Sequence, residues 1–376
     1  MTAPIGYFVH HQGRGHAERC AALLHAMPTN RPATVFCADP GVLPSLPEQV
    51  DVKALPSLFQ RRGDERDGLD HVPHPDTCHC APLGWPAITD AMATLTDWFS
   101  RARPALIVAD VSAEVAQLAR LCSVPHVHIL QHGDRTDPGH RAAFDGAAGL
   151  LCPCDAALAQ PEWSAWSDRI HHAGGLGIGA MPDRADARVR LGLDADEEVI
   201  LVVSGGGGDG VPVAPLGVGA RALPRARWVT IGPVRRDWHA TEPANLHHMG
   251  WVDDAPDWIA AADAVVASTG NTTVHQILAV GTPYVAVPEW RYFDEQGRKA
   301  RALLDAGLAH ALPALPASSQ AWRAAFDAAR DTHDPDRQRA CVRPDAAEQA
   351  ARWLDALATR MTGHPAASPT LALAGE

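Results

Sequence analysis

Short apolar runs alternate with amphipathic stretches along most of the chain. Runs near 5 to 10, 33 to 37, 50 to 54, 105 to 109, 125 to 130 and 148 to 152 end in small or polar residues. They predict strands buried on both faces of a parallel sheet, with helices between them. In the first helix, Ala17, Cys20, Ala21 and Leu24 share one side. A second set of runs begins at Val199 to Val203 and continues at Ala264 to Ala267 and Tyr284 to Val287. Near the end, Ala346, Ala350, Trp353, Leu354 and Leu357 line one face of a helix over 345 to 361. This alternation predicts an α/β protein of two similar halves.

Residues 267 to 288, ASTGNTTVHQILAVGTPYVAVP, compress strand, turn, helix and strand into one βαβ unit. Ser268, Thr269, Gly270 and Asn271 allow the sharp turn, and Thr272 and Thr273 open the helix. Amide groups at a helix start lack intrahelical partners and lie at the positive end of the macrodipole. A diphosphate can dock there without a lysine. Downstream, Asp294, Glu295 and Gln296 precede another helical pattern. Their carboxylates and amide are suited to hydrogen-bonding adjacent sugar hydroxyls.

Two further turns have the same character. Tyr7 to His10 read as a strand that turns through Gln12 to Gly15, so Gly13 and Gly15 bring backbone close to a ligand and His16 enters the helix. The segment GRGH lacks the GxGxxG spacing of a dinucleotide site. Ser204, Gly205, Gly206 and Gly207 follow the run Val199 to Val203 and predict a third close backbone approach, or else a flexible loop. Asp110 ends the run Ala105 to Ala109, where α/β folds gather their chemistry, and reads either as an orienter of His16 or as a helix N-cap.

Residues 250 to 309 resemble the donor-binding half of GT-B glycosyltransferases, most nearly the MurG-like type that adds N-acetylglucosamine to lipid-linked peptidoglycan precursors. The shared order is a GW/FV turn, an apolar strand, the small turn, TVxxI, AxGxP, VP and the acidic/Gln loop. The resemblance implies two Rossmann-like, doubly wound parallel-sheet domains facing a central cleft. It implies an acceptor-binding domain over 1–160, a linker over 161–185 and a donor domain over 186–343. A helix over 344–361 crosses back, and a disordered tail covers 362–376. Trp251 and Val252 would hold the base, usually uracil, with Gly270, Asn271, Thr272 and Thr273 beside the diphosphate. Gln276 stands where the family has a ribose-chelating glutamate, and Glu295 and Gln296 would read the donor sugar. His16 falls where the family places the group facing donor and acceptor, and Asp110 matches its orienting aspartate. His16 would then act as general base in an inverting transfer from a UDP-sugar, less readily a TDP-sugar, to an acceptor hydroxyl. The acceptor could be a small molecule, a lipid-linked saccharide or a polymer precursor. A nucleotide-sugar 2-epimerase and a catalytically inactive GT-B accessory protein are the alternatives, with an oxidoreductase the weakest.

Composition narrows the partners. The 376 residues carry a net charge of −12, which argues against nucleic acid. No apolar stretch of spanning length and no export signal are read, so a cytoplasmic protein is expected, with peripheral contact at the inner membrane face for a lipid acceptor. The pairs Cys78/Cys80 and Cys152/Cys154 are spaced more tightly than usual zinc ligands, so reduced thiols, no metal and no cofactor beyond the donor substrate are expected. By the GT-B resemblance the polar segment 57 to 88 would face the cleft and shape the acceptor site, where Arg61, Arg62, His71 and His74 either meet an anionic acceptor or belong to a solvated mobile loop, and the loop 131 to 140 would also border the acceptor.

Overall fold

The computed structural model describes residues 2–11, 14–205, 208, 210–236 and 241–363. Its first sheet contains β1 (Ile5–Val9), β2 (Ala33–Cys37), β3 (Val50–Ala54), β4 (Leu106–Ala109), β5 (His126–Ile129), β6 (Gly149–Cys152) and β7 (Ile170–His172). All pairings are parallel, in the order β3-β2-β1-β4-β5-β6-β7. The connecting helices are α1 (Arg14–Ala26), α2 (Pro86–Ala102), α3 (Ala113–Leu121) and α4 (Pro138–Asp145). Strand β7 lies within the segment expected to be a linker. The apolar residue between polar neighbours in Arg169-Ile170-His171 is too short a run to announce a strand, and β7 exists because β6 offers it an open edge.

After α5 (Arg184–Leu191), the second half contains β8 (Val199–Val203), β9 (Val211–Pro212), α6 (Val213–Ala222), β10 (Arg227–Ile231), β11 (Val234–Arg235) and β12 (Leu246–Gly250). Then come α7 (Ala255–Ala261), β13 (Ala264–Ala267), α8 (Asn271–Val280), β14 (Tyr284–Ala286), α9 (Glu295–Asp305) and β15 (His310–Ala311). Its sheet runs β12-β10-β8-β13-β14-β15, again parallel, while β9 and β11 form a separate small pair.

The chain closes with α10 (Ser319–Asp331), α11 (Pro335–Ala340) and α12 (Ala346–Thr362). Helix α12 returns to the first half and packs on α1, with Leu354 and Leu357 in the same buried cluster as Leu23 and Leu24. Arg31 fixes the return by donating to Asp355 at 2.7 Å and to Thr359 at 2.8 Å. Most of the expected tail, from 364 onward, lies outside the described residues.

Both sheets reverse direction of winding beside their first strand, between β1 and β4 and between β8 and β13. A crevice opens at the carboxyl ends of strands where the winding reverses, because the flanking loops leave on opposite faces.

Candidate functional site

At the first reversal, β4 delivers Asp110 and the first turn of α1 delivers His16. Their Oδ1 and Nδ1 atoms are 3.0 Å apart. One turn along α1, Arg19 donates from Nε to Asp110 Oδ2 at 2.8 Å and from Nη2 to Oδ1 at 2.6 Å. Tyr7 on β1 adds a hydroxyl donor to Oδ2 at 3.3 Å. Burial works to raise the Asp110 pKa, but the charges and hydrogen bonds of Arg19 and His16 outweigh it and hold the carboxyl well below its usual range. The same carboxylate, against the cost of burial, keeps Arg19 charged.

Asp110 is not the cap of α3. Ser112 takes that place and accepts from the Val115 amide at 3.2 Å. Between them Val111 has φ of 61°. A β-branched side chain in the left-handed region is strained by about 1–3 kcal/mol, so the surrounding structure enforces the turn that aims Asp110 back at α1. Behind Arg19, Gly177 has φ of 97°, and a Cβ there would lie 3.0 Å from Arg19 Cβ. Glycine is required at that approach.

At the second reversal, Ser204 and Gly205 end β8 and the turn 268–271 ends β13. A Cβ on Gly205 would lie 4.0 Å from Ser268 Oγ, so the two turns are adjacent. The Ser204 hydroxyl is buried without a hydrogen-bond partner among the described residues. Helix α8 starts at Asn271 with Gly270 as its N-cap, no side-chain cap and no acid in its first turn. Thr272 and Thr273 lie in that turn. The free amides and macrodipole there favour an anion.

The two reversals meet. A Cβ on Gly15 would lie 3.4 Å from Thr272 Oγ1, which sets the starts of α1 and α8 face to face across the cleft. Other contacts span the cleft beside them. The Asp134 amide donates to Phe293 O at 2.6 Å, and Arg135 Nη2 donates to Glu295 Oε2 at 3.4 Å. The Arg135 guanidinium also lies 4.7 Å from the Phe293 ring centroid.

The remaining expected site residues fall into distinct places. Trp251 is 58% exposed, Val252 is partly buried, and Gln276 lies mid-way along α8. Gln296 is buried. Its Oε1 accepts from the Thr269 amide at 3.2 Å and the Glu289 amide at 2.8 Å, so this oxygen braces two loops. Asp294 occupies the N-cap position of α9 but its side chain makes no capping bond. Gly13, Gly206 and Gly207 lie outside the described residues. In the segment 57 to 88, Phe59 stacks on His10 at 4.6 Å, whereas Arg62 pairs with Asp64 and Asp90, and His74 Nε2 accepts from the Ala81 amide.

No family model matches the chain. It is 29% identical over 316 residues to the UDP-N-acetylglucosamine–N-acetylmuramyl-(pentapeptide) pyrophosphoryl-undecaprenol N-acetylglucosamine transferase of Cutibacterium acnes, covering 78% of this chain and 80% of that one. Among solved structures, Acinetobacter baumannii MurG superposes with a TM-score of 0.60 at 13% identity, over 95% of this chain and 99% of that one. The calicheamicin glycosyltransferase CalG4 gives 0.63 at 16% identity, over 96% and 100%. The chain is a MurG-like glycosyltransferase of the GT-B fold.

Three residues of this glycosyltransferase escaped the sequence reading. Arg19 is 2% exposed, where an arginine in a helix ordinarily reads as surface. Arg135 looks like any loop cation until Glu295 is brought opposite it. Lys299 had a signal, being one of only two lysines in the chain. It is fully buried under the start of α8 and donates to Asn271 Oδ1. Burial pushes its pKa down while Glu295 opposes the shift.

Proposed function

We propose that this glycosyltransferase moves a hexose or N-acetylhexosamine from a UDP-sugar to an acceptor hydroxyl, with inversion at the anomeric carbon and without a metal ion. The observation that carries this reading is the approach of Gly15, at the start of the helix that carries His16, to Thr272 at the uncapped start of α8. A diphosphate at α8 puts its sugar toward His16. The Ser204 hydroxyl, buried and unpartnered among the described residues, is a ready donor to the same diphosphate. The nucleotide class is supported by the Cutibacterium acnes relative, whose name gives UDP-N-acetylglucosamine as its donor.

In the proposed step, Asp110 holds the Nδ1–H of His16 and leaves Nε2 free to accept. The acceptor O–H proton passes to Nε2 as its oxygen bonds to the anomeric carbon. The bond from that carbon to the diphosphate oxygen breaks, and the leaving group departs with the electron pair onto the amides of α8. Contacts across the cleft through Arg135 and Glu295 align the two halves. The acceptor is a small molecule, a lipid-linked saccharide or a polymer precursor. For a lipid acceptor the enzyme would work from the cytoplasm at the inner membrane face. No helix among the described residues is long and apolar enough to cross a membrane.

Isothermal titration calorimetry with UDP, TDP, GDP and ADP tests the donor reading. Selective UDP binding, weakened in Thr272→Ala and Ser204→Ala, is the expected result. Failure to bind any of the four would overturn it. Product formation from donor alone, as an epimer, would place the chain with the 2-epimerases. Turnover that a chelator abolishes and manganese restores would remove the metal-free mechanism.

A further inference from the structure

The end of β6 holds two cysteines with one residue between them. Strand β6 ends at Cys152 and the chain bends through Pro153 and Cys154, which brings the two sulfurs to 2.9 Å from each other. Both are buried. In the register of the sheet, Cys152 pairs with His172 at the end of β7. The two Sγ atoms and a ring nitrogen of His172 all lie within 4.8 Å of one another. The Nδ1 atom of His172 is buried and has no hydrogen-bond partner among the described residues. A buried imidazole nitrogen normally has a partner, and here the nearest chemistry is a pair of thiols.

We propose that Cys152, Cys154 and His172 form a zinc site that ties the end of the first sheet to the chain crossing between the two domains. Two sulfurs and one imidazole nitrogen are a borderline-soft donor set that favours zinc over magnesium, calcium or manganese. A tetrahedral ion with Zn–S near 2.3 Å needs sulfurs roughly 3.8 Å apart, so the thiols part by about 0.9 Å to admit it. The fourth position is left to water. The tight spacing that argued against a zinc knuckle does not count against this site, because the third ligand comes from the neighbouring strand and not from the same loop.

The location gives the ion a structural role. Directly after β7 the chain passes through Gly174 and Gly175 toward the donor domain, and the returning segment docks here too. Arg343 donates to His172 O at 2.9 Å and to Asp155 at 3.2 Å, and the Arg343 amide donates to Gly174 O at 2.7 Å. Both interdomain crossings are therefore anchored to residues next to the three ligands. This inference is independent of the transfer proposed above, and none of the three ligands is assigned to donor or acceptor.

The test is cobalt substitution of the full chain after dialysis against chelator. One equivalent of Co²⁺ is expected to give tetrahedral d–d bands and a thiolate-to-cobalt charge-transfer band. Both bands should vanish in Cys152→Ser and Cys154→Ser, weaken in His172→Gln, and persist in Cys37→Ser. Absence of the bands in the wild-type protein, or their persistence in the Cys152→Ser/Cys154→Ser double variant, would overturn the site. Cadmium-113 NMR of the wild-type protein reads sulfur ligation without any variant that could misfold. A resonance in the two-sulfur range supports the site, and one in the oxygen and nitrogen range sinks it. Chelator damage through this site would appear as lost thermal stability restored by zinc and not by manganese, which separates it from a catalytic metal.

Discussion

Arg19 Nη2 stands 2.6 Å from His16 Nδ1, inside the same triangle in which Asp110 Oδ1 lies 3.0 Å from that nitrogen. One imidazole nitrogen cannot accept from the arginine and donate to the carboxylate at once. If Arg19 donates, the neutral ring carries its proton on Nε2 and is no base. If Asp110 accepts, Nε2 is bare and faces the cleft. The proposed transfer requires the second state, so nitrogen-15 NMR with UDP bound is expected to show the Nδ1–H tautomer. An Nε2–H signal in the complex with donor and acceptor analogue would remove His16 as base.

His16→Ala is expected to lower kcat by about 10²–10⁴ while leaving UDP affinity nearly unchanged. The two effects separate because the diphosphate is assigned to α8 and not to the histidine. Collapse of UDP binding in calorimetry would instead make His16 a phosphate ligand.

Arg19→Met leaves the buried Asp110 carboxylate without its two-point partner. Breaking a buried pair of this kind costs about 3–5 kcal/mol, which denaturant unfolding would register as a lower midpoint. A loss under about 1 kcal/mol would mean that Tyr7 and His16 suffice to hold the carboxylate.

Ser204→Ala removes a buried hydroxyl that makes no protein hydrogen bond among the described residues. Stability should therefore hold or rise slightly, while UDP binding weakens by about 1.5–3 kcal/mol, the worth of a hydrogen bond to a charged group. Equal UDP affinity in the two proteins would take Ser204 out of the donor site.

Acid should unfold the protein earlier than its carboxylates alone would require. Burial first, then neighbouring positive charge, lowers His10 and His275 to about 3 and His140 to about 4. In the unfolded chain these rings take up protons near pH 6.5, whereas in the folded protein they resist. The unfolded state then binds more protons, so stability falls as pH drops from about 6.5 toward 4, by up to about 1.4 kcal/mol per pH unit for each ring. Asp110 adds a further loss at lower pH, because its depressed folded pKa contributes stability above the ordinary aspartate range and forfeits it as that folded pKa is passed. Thermal melts across this range check the sign; a flat profile from pH 6.5 to 4 would show that these histidines are already protonated in the native state.

Strand positions, the two-fold repetition of the α/β plan and the polar turns were legible in the sequence because they depend on local pattern. A run such as Val199 to Val203 has few places to go except a doubly covered strand, and Gly270 followed by Asn271 and Thr272 has few uses except a turn into a helix. The pairing of His16 with Asp110 was also within reach, since both stand where strands end. Tertiary structure alone decided the rest. Whether Gly15 meets Thr272 depends on how two domains close, and whether Arg19 is a surface cation or the buried partner of Asp110 depends on a loop, at Gly177, that lies 158 residues further on. Gln296 illustrates the limit: its type suited a sugar, but the fold buried it and bonded its oxygen to two backbone amides. Cys152 and Cys154 illustrate the converse, because His172 joins them only through the register of β6 and β7. Local pattern governs which segments are buried; partners distant in sequence become neighbours only when the sheets pair and the crossings close, and no local pattern carries that information.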